Sequence, residues 1–61
     1  MIFLKKKDGT YFSLYSASGM SEDRSKAVVF IDTKEAKYWW LEHTLHFVPL
    51  KTLGFEIVDE K

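Results

Sequence analysis

The dipeptide Asp8-Gly9 restricts the fold of this chain more than any other feature, because it lies between two short runs rich in aromatic residues. Asp-Gly supplies the positive φ angles that tight hairpin turns require. The flanking runs, residues 2–6 and 11–15, have the large apolar side chains that are typical of β-strands. The sequence therefore predicts a β-hairpin over residues 2–16.

Residues 16–31 divide into a polar part and an apolar part. Residues 16–26 have small polar side chains and no periodic apolar face, so we expect an exposed, mobile loop there. Residues 27–31 carry β-branched and aromatic side chains on both alternating faces, as a strand covered on both sides does. This run is the expected central strand of the sheet.

A helix is predicted to begin just after Asp32, whose side chain can accept a hydrogen bond from the backbone N–H three residues later. Glu35 can reach back to the same cap, in a variant of the capping box. The helix is expected to run from about Thr33 to His43 or His46, because the proline that follows cannot lie inside it.

The last part of the chain predicts a short turn of helix and then a strand. Pro49 and Gly54 are typical of the first position and of the left-handed end of such a turn, and residues 55–59 alternate with period two. Residues 1–61 are therefore expected to form one α+β domain of order β-β-β-α-β. One main helix packs on a three- to four-stranded sheet made of the N-terminal hairpin, the central strand and the C-terminal strand.

Aromatic side chains have to supply much of the core, because the chain of 61 residues has no cysteine and no ligand spacing for a structural zinc. Five Phe, three Tyr and two Trp are present, and each buries about 150–250 Å². The residues expected to be largely buried are apolar and come from every predicted element: Ile2, Leu4, Phe12, Leu14, Val28, Phe30, Trp40, Leu53, Phe55 and Ile57.

The predicted helix is apolar on two sides, although a helix that lies on one sheet needs only one apolar stripe. At about 100° per residue, one stripe holds Ala36, Trp39, Trp40 and His43, and the nearly opposite stripe holds Tyr38, Leu41 and Leu45. Residues 47–53 of the same chain could cover the second stripe. Otherwise a partner covers it, since large exposed apolar patches mark interaction sites.

The residues expected nearest a partner are Tyr38, Trp39, Trp40, Leu41 and His43. Trp and Tyr are enriched at binding hot spots, and the two adjacent tryptophans point about 100° apart, so one of them is the best candidate for an exposed anchor. This pattern favours a non-enzymatic protein-interaction module. Its partner would be another protein or a second copy of the chain, in a homodimer.

A single-stranded nucleic-acid-binding module is the alternative. Lys5, Lys6 and Lys7 lie beside Tyr11 and Tyr15 on the predicted hairpin, and single strands bind where bases stack on aromatic rings next to basic side chains. Against this, nine Lys and Arg balance nine Asp and Glu, so the chain offers no broad basic face.

Metal and catalytic sites are not expected. His43 and His46 are three residues apart, but no third His or Cys exists to complete a metal site. The serines cluster in the predicted 16–26 loop, and nothing in the sequence links them to a histidine as a catalytic pair. We therefore predict no enzyme activity, no bound metal and no cofactor.

The expected location is the cytoplasm. The apolar runs are short and interrupted by charges, which excludes a transmembrane helix, and the first residues lack the order of a signal peptide. The absence of cysteine agrees with this location.

Three segments carry a resemblance to known proteins: the Lys-Asp-Gly hairpin of residues 7–9, the run Val-Val-Phe-Ile-Asp-Thr-Lys-Glu-Ala-Lys of residues 28–37, and Leu-Gly-Phe-Glu-Ile-Val-Asp-Glu of residues 53–60. With these segments the chain resembles small uncharacterised proteins encoded by phages and prophages of Gram-positive bacteria. Such proteins often bind a host protein and inhibit or redirect it. The resemblance implies a phage-encoded modulator of a host protein and carries over no functional residue.

Overall fold

Two antiparallel sheets and one helix make up the fold, in a computed structural model that describes residues 1–61. The larger sheet has four strands in the order β3-β2-β1-β6, and the smaller sheet pairs β4 with β5. The fold is therefore α+β, with strands before and after the helix. The elements in chain order are β1 (Ile2–Lys5), β2 (Tyr11–Phe12), β3 (Met20–Ser21), α1 (Thr33–Glu42), β4 (Thr44–Leu45), β5 (Val48–Pro49) and β6 (Glu56–Asp59).

The predicted N-terminal hairpin is present as β1 and β2, and its turn lies where Asp-Gly predicts it. Gly9 has a φ of 94°, the Lys6 amide donates to the Thr10 carbonyl at 2.8 Å, and the Asp8 side chain accepts from the Thr10 amide at 2.9 Å. The second strand ends at Phe12 and does not extend to residue 16.

The expected loop at 16–26 contains more structure than its composition indicates. Met20 and Ser21 form strand β3, which pairs with β2 in the register Tyr11↔Ser21 and Phe12↔Met20. A 3-10 turn follows at Arg24–Lys26. The loop prediction missed β3 because a strand of two residues forms where a neighbouring strand, here β2, offers hydrogen bonds. Its own β-propensity has little influence.

The prediction of a central strand at residues 27–31 was wrong. That segment contacts the sheet through isolated bridges at Ala27 and Phe30, which are buried, whereas Val29 and Ile31 point to solvent. The two inner positions belong to β2 and β1, and β1 lies between β2 and β6. Strand β6 pairs with β1 over its whole length, from Ile2↔Asp59 to Lys5↔Glu56, so the place beside β1 is already occupied.

The main core lies between α1 and one face of the larger sheet. Four predicted core residues are buried, and Ile2, Val28, Trp40, Leu53 and Ile57 are half-buried against them. Leu14 is exposed, contrary to the prediction, because β2 ends before it. The buried residues of this core are Leu4, Phe12, Phe30, Ala36, Leu50 and Phe55.

The other face of the sheet carries a smaller apolar cluster of Phe3, Tyr11 and Ala27, with Val58 packed beside it. The rings of Phe3 and Tyr11 meet edge to face, with centroids 5.2 Å apart. Neither ring is among the expected core residues, which include Ile2 and Leu4 from β1 and Phe12 from β2. Both faces of these strands bury aromatic residues.

The helix begins where its cap predicts. The Asp32 carboxylate accepts from the Glu35 amide at 2.8 Å, and the Glu35 carboxylate accepts from the Ile31 amide at 3.0 Å. The helix ends at Glu42, with His43 as its extended C-cap. The predicted extension to His46 was wrong.

A second hairpin replaces the expected end of the helix. Strands β4 and β5 pair as Thr44↔Pro49 and Leu45↔Val48, which leaves His46 and Phe47 as a two-residue turn. Residues 50–54 then form consecutive turns. The Leu53 amide donates to the Pro49 carbonyl at 3.1 Å, which is one turn of helix, and Gly54 ends it at positive φ, as predicted, although Pro49 is also the last residue of β5.

Candidate functional site

The solvent side of α1 keeps two apolar side chains that the core does not use. Tyr38 is 64% exposed and Leu41 is 45% exposed. Ala36, on the opposite side of the helix, is completely buried. Of the two predicted stripes, the one with Ala36 faces the sheet, and the one with Tyr38 and Leu41 remains open.

The two tryptophans lie on the sheet side and are half-buried. The Trp39 ring packs against Phe12 and Phe30, with centroids 5.8 and 5.9 Å away, and His43 stacks on it at 3.9 Å. The Trp40 indole N–H donates to the Phe55 carbonyl at 2.6 Å. The exposed aromatic residue of this helix is therefore Tyr38.

Two lysines accompany Tyr38 and Leu41 on the solvent side. On a helical wheel of about 100° per residue, Lys34 and Lys37 project within about 40° of Leu41. Both are exposed, and neither takes part in an ion pair. We call Lys34, Lys37, Tyr38 and Leu41 the outer helix surface, in which two apolar side chains lie beside two lysines. The exposed Glu42 projects within about 40° of Tyr38 and borders this surface on the other side.

Leu45 does not extend this surface, although the helical wheel placed it there. Because the helix ends at Glu42, Leu45 lies in β4 and packs against the main core. Its side chain fills the space where Gly19 would carry a Cβ, which would lie 2.5 Å from one Leu45 methyl carbon. Leu45 thereby fixes the base of the second hairpin on the loop before β3.

The tip of the second hairpin presents an aromatic side chain, Phe47, that is not among the predicted site residues. Phe47 is 98% exposed, and it has a φ of 68° next to His46 at 52°. A bulky residue at positive φ is uncommon, and such strain is of order 1–3 kcal/mol. No Gly or Asn marks this turn, so the sequence signal for the hairpin is absent.

The residues of the predicted nucleic-acid surface are dispersed. The Tyr11 ring is buried, and its hydroxyl donates to the Glu60 carboxylate at 2.6 Å. Lys5 pairs with the same carboxylate at 2.8 Å, whereas Tyr15 is exposed in the loop after β2. Lys5, Tyr11 and Tyr15 therefore do not form one surface with Lys6 and Lys7.

Glu60 is the centre of a polar cluster on the outer face of the larger sheet. Besides Lys5 and Tyr11, it contacts the Arg24 guanidinium at 3.3 Å, which lies 4.9 Å over the Phe3 ring. Hydrogen bonds from Lys5 and from Tyr11 lower the pKa of Glu60, and the bond to Glu60 raises the pKa of Lys5. This cluster closes over the smaller apolar cluster and is best explained as structural.

Both histidines and two serines line a cleft of about 270 Å³ between the loop after β2 and strand β4. The Ser13 hydroxyl is buried and accepts a hydrogen bond from the Tyr15 amide at 3.1 Å. No hydrogen bond joins a serine to His43 or His46 here, so the cleft holds no paired nucleophile and base. No three His, Cys, Asp or Glu side chains are grouped to hold a metal ion.

This chain matches no protein-family model, no curated protein and no solved structure. Its helix of ten residues is too short and too polar to cross a membrane. Function therefore has to be inferred from the chemistry of the surface.

Proposed function

We propose that this protein is a small non-enzymatic protein-interaction module that binds its partner through the outer helix surface. The observation that supports the proposal is the exposure of Tyr38 and Leu41 on a helix whose other apolar stripe already fills the core. Folding does not require either side chain to be apolar. Tyrosine is among the residues that contribute most to protein interfaces.

The lysines of the outer helix surface indicate the charge expected on the partner's contact surface. Lys34 and Lys37 lack ion pairs within the chain, so an acidic rim around an apolar patch would complement them. We therefore propose a different protein, apolar and acidic at its contact surface, as the partner.

This chemistry is compatible with the role that the resemblance implies. The module would act in the cytoplasm as a phage-encoded modulator of a host protein, and it would work by occupying an acidic, apolar surface of that protein. Phe47 would extend the contact if the partner also reaches the tip of the second hairpin.

Photo-crosslinking in the producing cells tests this proposal. A photoreactive phenylalanine analogue replaces Tyr38 in one variant and Ile31 in a control variant, since Ile31 is also exposed but lies before the helix. We expect a discrete crosslinked heterodimer from position 38 and none from position 31. Adding Leu41→Asp should weaken this complex by about tenfold or more, because it places an unpaired charge in an apolar contact.

Two results would contradict the proposal. Equal crosslinking from positions 38 and 31 would show that the outer helix surface is not selective. A crosslinked product made of two copies of this chain, together with a mass that doubles as concentration rises, would replace the proposed partner with a second copy. Circular dichroism of the Leu41→Asp variant should be unchanged, because the side chain lies outside the core.

A further inference from the structure

Three lysines from two separate turns line one cleft beside Trp40. Lys6 and Lys7 come from the turn between β1 and β2, and Lys51 comes from the turns that precede β6. The cleft is a wide, open depression of about 670 Å³ at the protein surface. The remaining lining residues are Asp8, Gly54, Phe55 and Glu56.

The Trp40 ring forms a fixed wall of this cleft. Its indole N–H donates to the Phe55 carbonyl at 2.6 Å, so the orientation of the ring is set by the backbone that leads into β6. The Lys51 ammonium lies 5.6 Å from the ring centroid, within the range of a cation–π contact. An aromatic face and a cation are thus placed together at the edge of the core.

The three ammonium groups have no ion-pair partner within the chain. Asp8 is held by the Thr10 amide, and hydrogen bonds from Thr10 lower the pKa of Asp8, so this carboxylate stays charged. With Glu56, the lining carries three positive and two negative groups. It can therefore accept phosphate on the lysines while its carboxylates accept N–H donors.

We propose that this cleft binds a nucleotide unit, with the base stacked on Trp40 and the phosphates held by Lys6, Lys7 and Lys51. Bases stack on aromatic rings next to basic side chains in single-strand-binding proteins, and the flexible stem of Lys51 lets its ammonium follow the phosphate. The unit can come from a free nucleotide or from a single-stranded nucleic acid. This site is separate from the outer helix surface.

The test is fluorescence titration of Trp40 in a Trp39→Phe variant, at low salt. The probes are adenosine diphosphate, an oligothymidylate of about eight nucleotides, adenosine alone and inorganic pyrophosphate alone. We expect quenching by adenosine diphosphate or by the oligothymidylate, and at least tenfold weaker binding of adenosine and of pyrophosphate. The tighter of the first two ligands identifies the source of the nucleotide unit.

Lysine variants test whether the binding belongs to this cleft. Lys51→Ala and Lys7→Ala should each weaken binding several-fold, whereas Lys34→Ala removes the same charge from the outer helix surface and should leave it unchanged. Raising salt from about 50 to about 200 mM should also weaken binding. If Trp39→Phe does not fold, amide shifts of residues 6–8 and 51–56 in the unmodified protein report the same titration.

Three outcomes would overturn the proposal. The first is the absence of quenching and of shift changes at low salt with both nucleotide probes. The second is binding of pyrophosphate as tight as that of adenosine diphosphate, which would indicate an anion site without base stacking. The third is equal weakening by Lys34→Ala and Lys51→Ala, which would indicate attraction by overall charge. The Leu41→Asp variant should retain nucleotide binding even if it loses the protein partner.

Discussion

The two hairpins of this protein differ in how their turns are formed: residues 6–10 join Lys5 to Tyr11, whereas residues 46–47 join Leu45 to Val48. The turn between β1 and β2 contains Gly9 in the left-handed region, with Asp8 bonded to the Thr10 amide. The turn between β4 and β5 places His46 and Phe47 in that region instead, and both carry a Cβ that disfavours it. The first turn forms because its residues prefer it, whereas the second forms in spite of its residues.

Burial of the flanking residues explains how the second hairpin is held. Leu45 packs into the space beside Gly19, Leu50 is completely buried just after β5, and the Leu50 amide donates to the His43 carbonyl at 3.0 Å. Burial of a leucine contributes about 1.5–3 kcal/mol, which is enough to offset the strain of the turn. The tertiary structure therefore supplies what the turn sequence lacks.

The largest effect is expected from Leu50→Ala. Removing a fully buried leucine side chain should reduce the free energy of unfolding by about 2–5 kcal/mol, and the second hairpin should lose its protection from amide exchange first. Urea unfolding measures the change. Leu14→Ala is the matched control, since Leu14 is 66% exposed and its loss should change stability by less than about 0.5 kcal/mol. Equal midpoints for the two variants would contradict this account.

Replacing Gly9 and Gly19 singly by alanine separates two effects on stability, the backbone strain of a turn and the packing of side chains against it. Gly9→Ala adds a Cβ that meets no atom within 4 Å, so its effect should be the left-handed strain alone, about 1–2 kcal/mol. Gly19→Ala has the same kind of strain, and its Cβ would also displace Leu45, for a total of about 2–4 kcal/mol. Thermal denaturation of both variants provides the comparison. A smaller loss for Gly19→Ala than for Gly9→Ala would show that Leu45 does not hold the second hairpin.

Replacing His46 and Phe47 together by Asn and Gly should stabilise the protein. Asn-Gly is the preferred pair for a two-residue hairpin turn, and no buried contact is lost because Phe47 is 98% exposed. The expected gain is about 1 kcal/mol, seen as a higher melting temperature. An unchanged or lower melting temperature would mean that the native turn is not strained.

The smallest effect is a difference in acid sensitivity between the two hairpins. The pKa of Glu60 is lowered by its bonds to Lys5 and Tyr11, so its stabilising contribution is complete above the ordinary range of a glutamate, roughly pH 4. It is lost as the pH falls from there through the lowered pKa. Glu60→Gln should reduce the loss of unfolding free energy in acid. Some of this loss should remain, since Asp8 and Asp23 also have lowered pKa values.

Amide exchange in acid gives the regional readout of the same prediction. In the unmodified protein, the exchange protection of Lys5 and Tyr11, measured against the intrinsic rate at the same pH, should fall with acid. The protection of Leu45 should not fall, because β4 and β5 have no carboxylate contact among their side chains. A uniform fall in protection across both hairpins would show that acid unfolds the whole protein and that Glu60 has no local role.

Of the outer helix surface, only Tyr38 and Leu41 are among the five residues predicted nearest a partner. The other three predicted residues, Trp39, Trp40 and His43, lie on the sheet side of the helix. Helical spacing correctly separated Tyr38 and Leu41 from Ala36 and the tryptophans, since a regular helix fixes these directions. Helical spacing alone could not show which stripe meets the sheet. The cleft beside Trp40 could not be predicted from the sequence, because Lys6 and Lys51 are distant in sequence and come together only through folding.

By itself the sequence determined the first turn and the start of the helix, because each depends on contacts within a few residues: Asp8 with Thr10, and Asp32 with Glu35. The alternation of residues 55–59 predicted the final strand, although its partner β1 lies at the other end of the chain. The tertiary structure decided that β1 lies between β2 and β6, that residues 27–31 stay at the edge, and that the chain after Glu42 turns back as a hairpin. These outcomes depend on which distant segment gains most by pairing with β1 or by burying Leu45 and Leu50. Local preference cannot anticipate that competition, because its deciding contacts exist only in the folded chain.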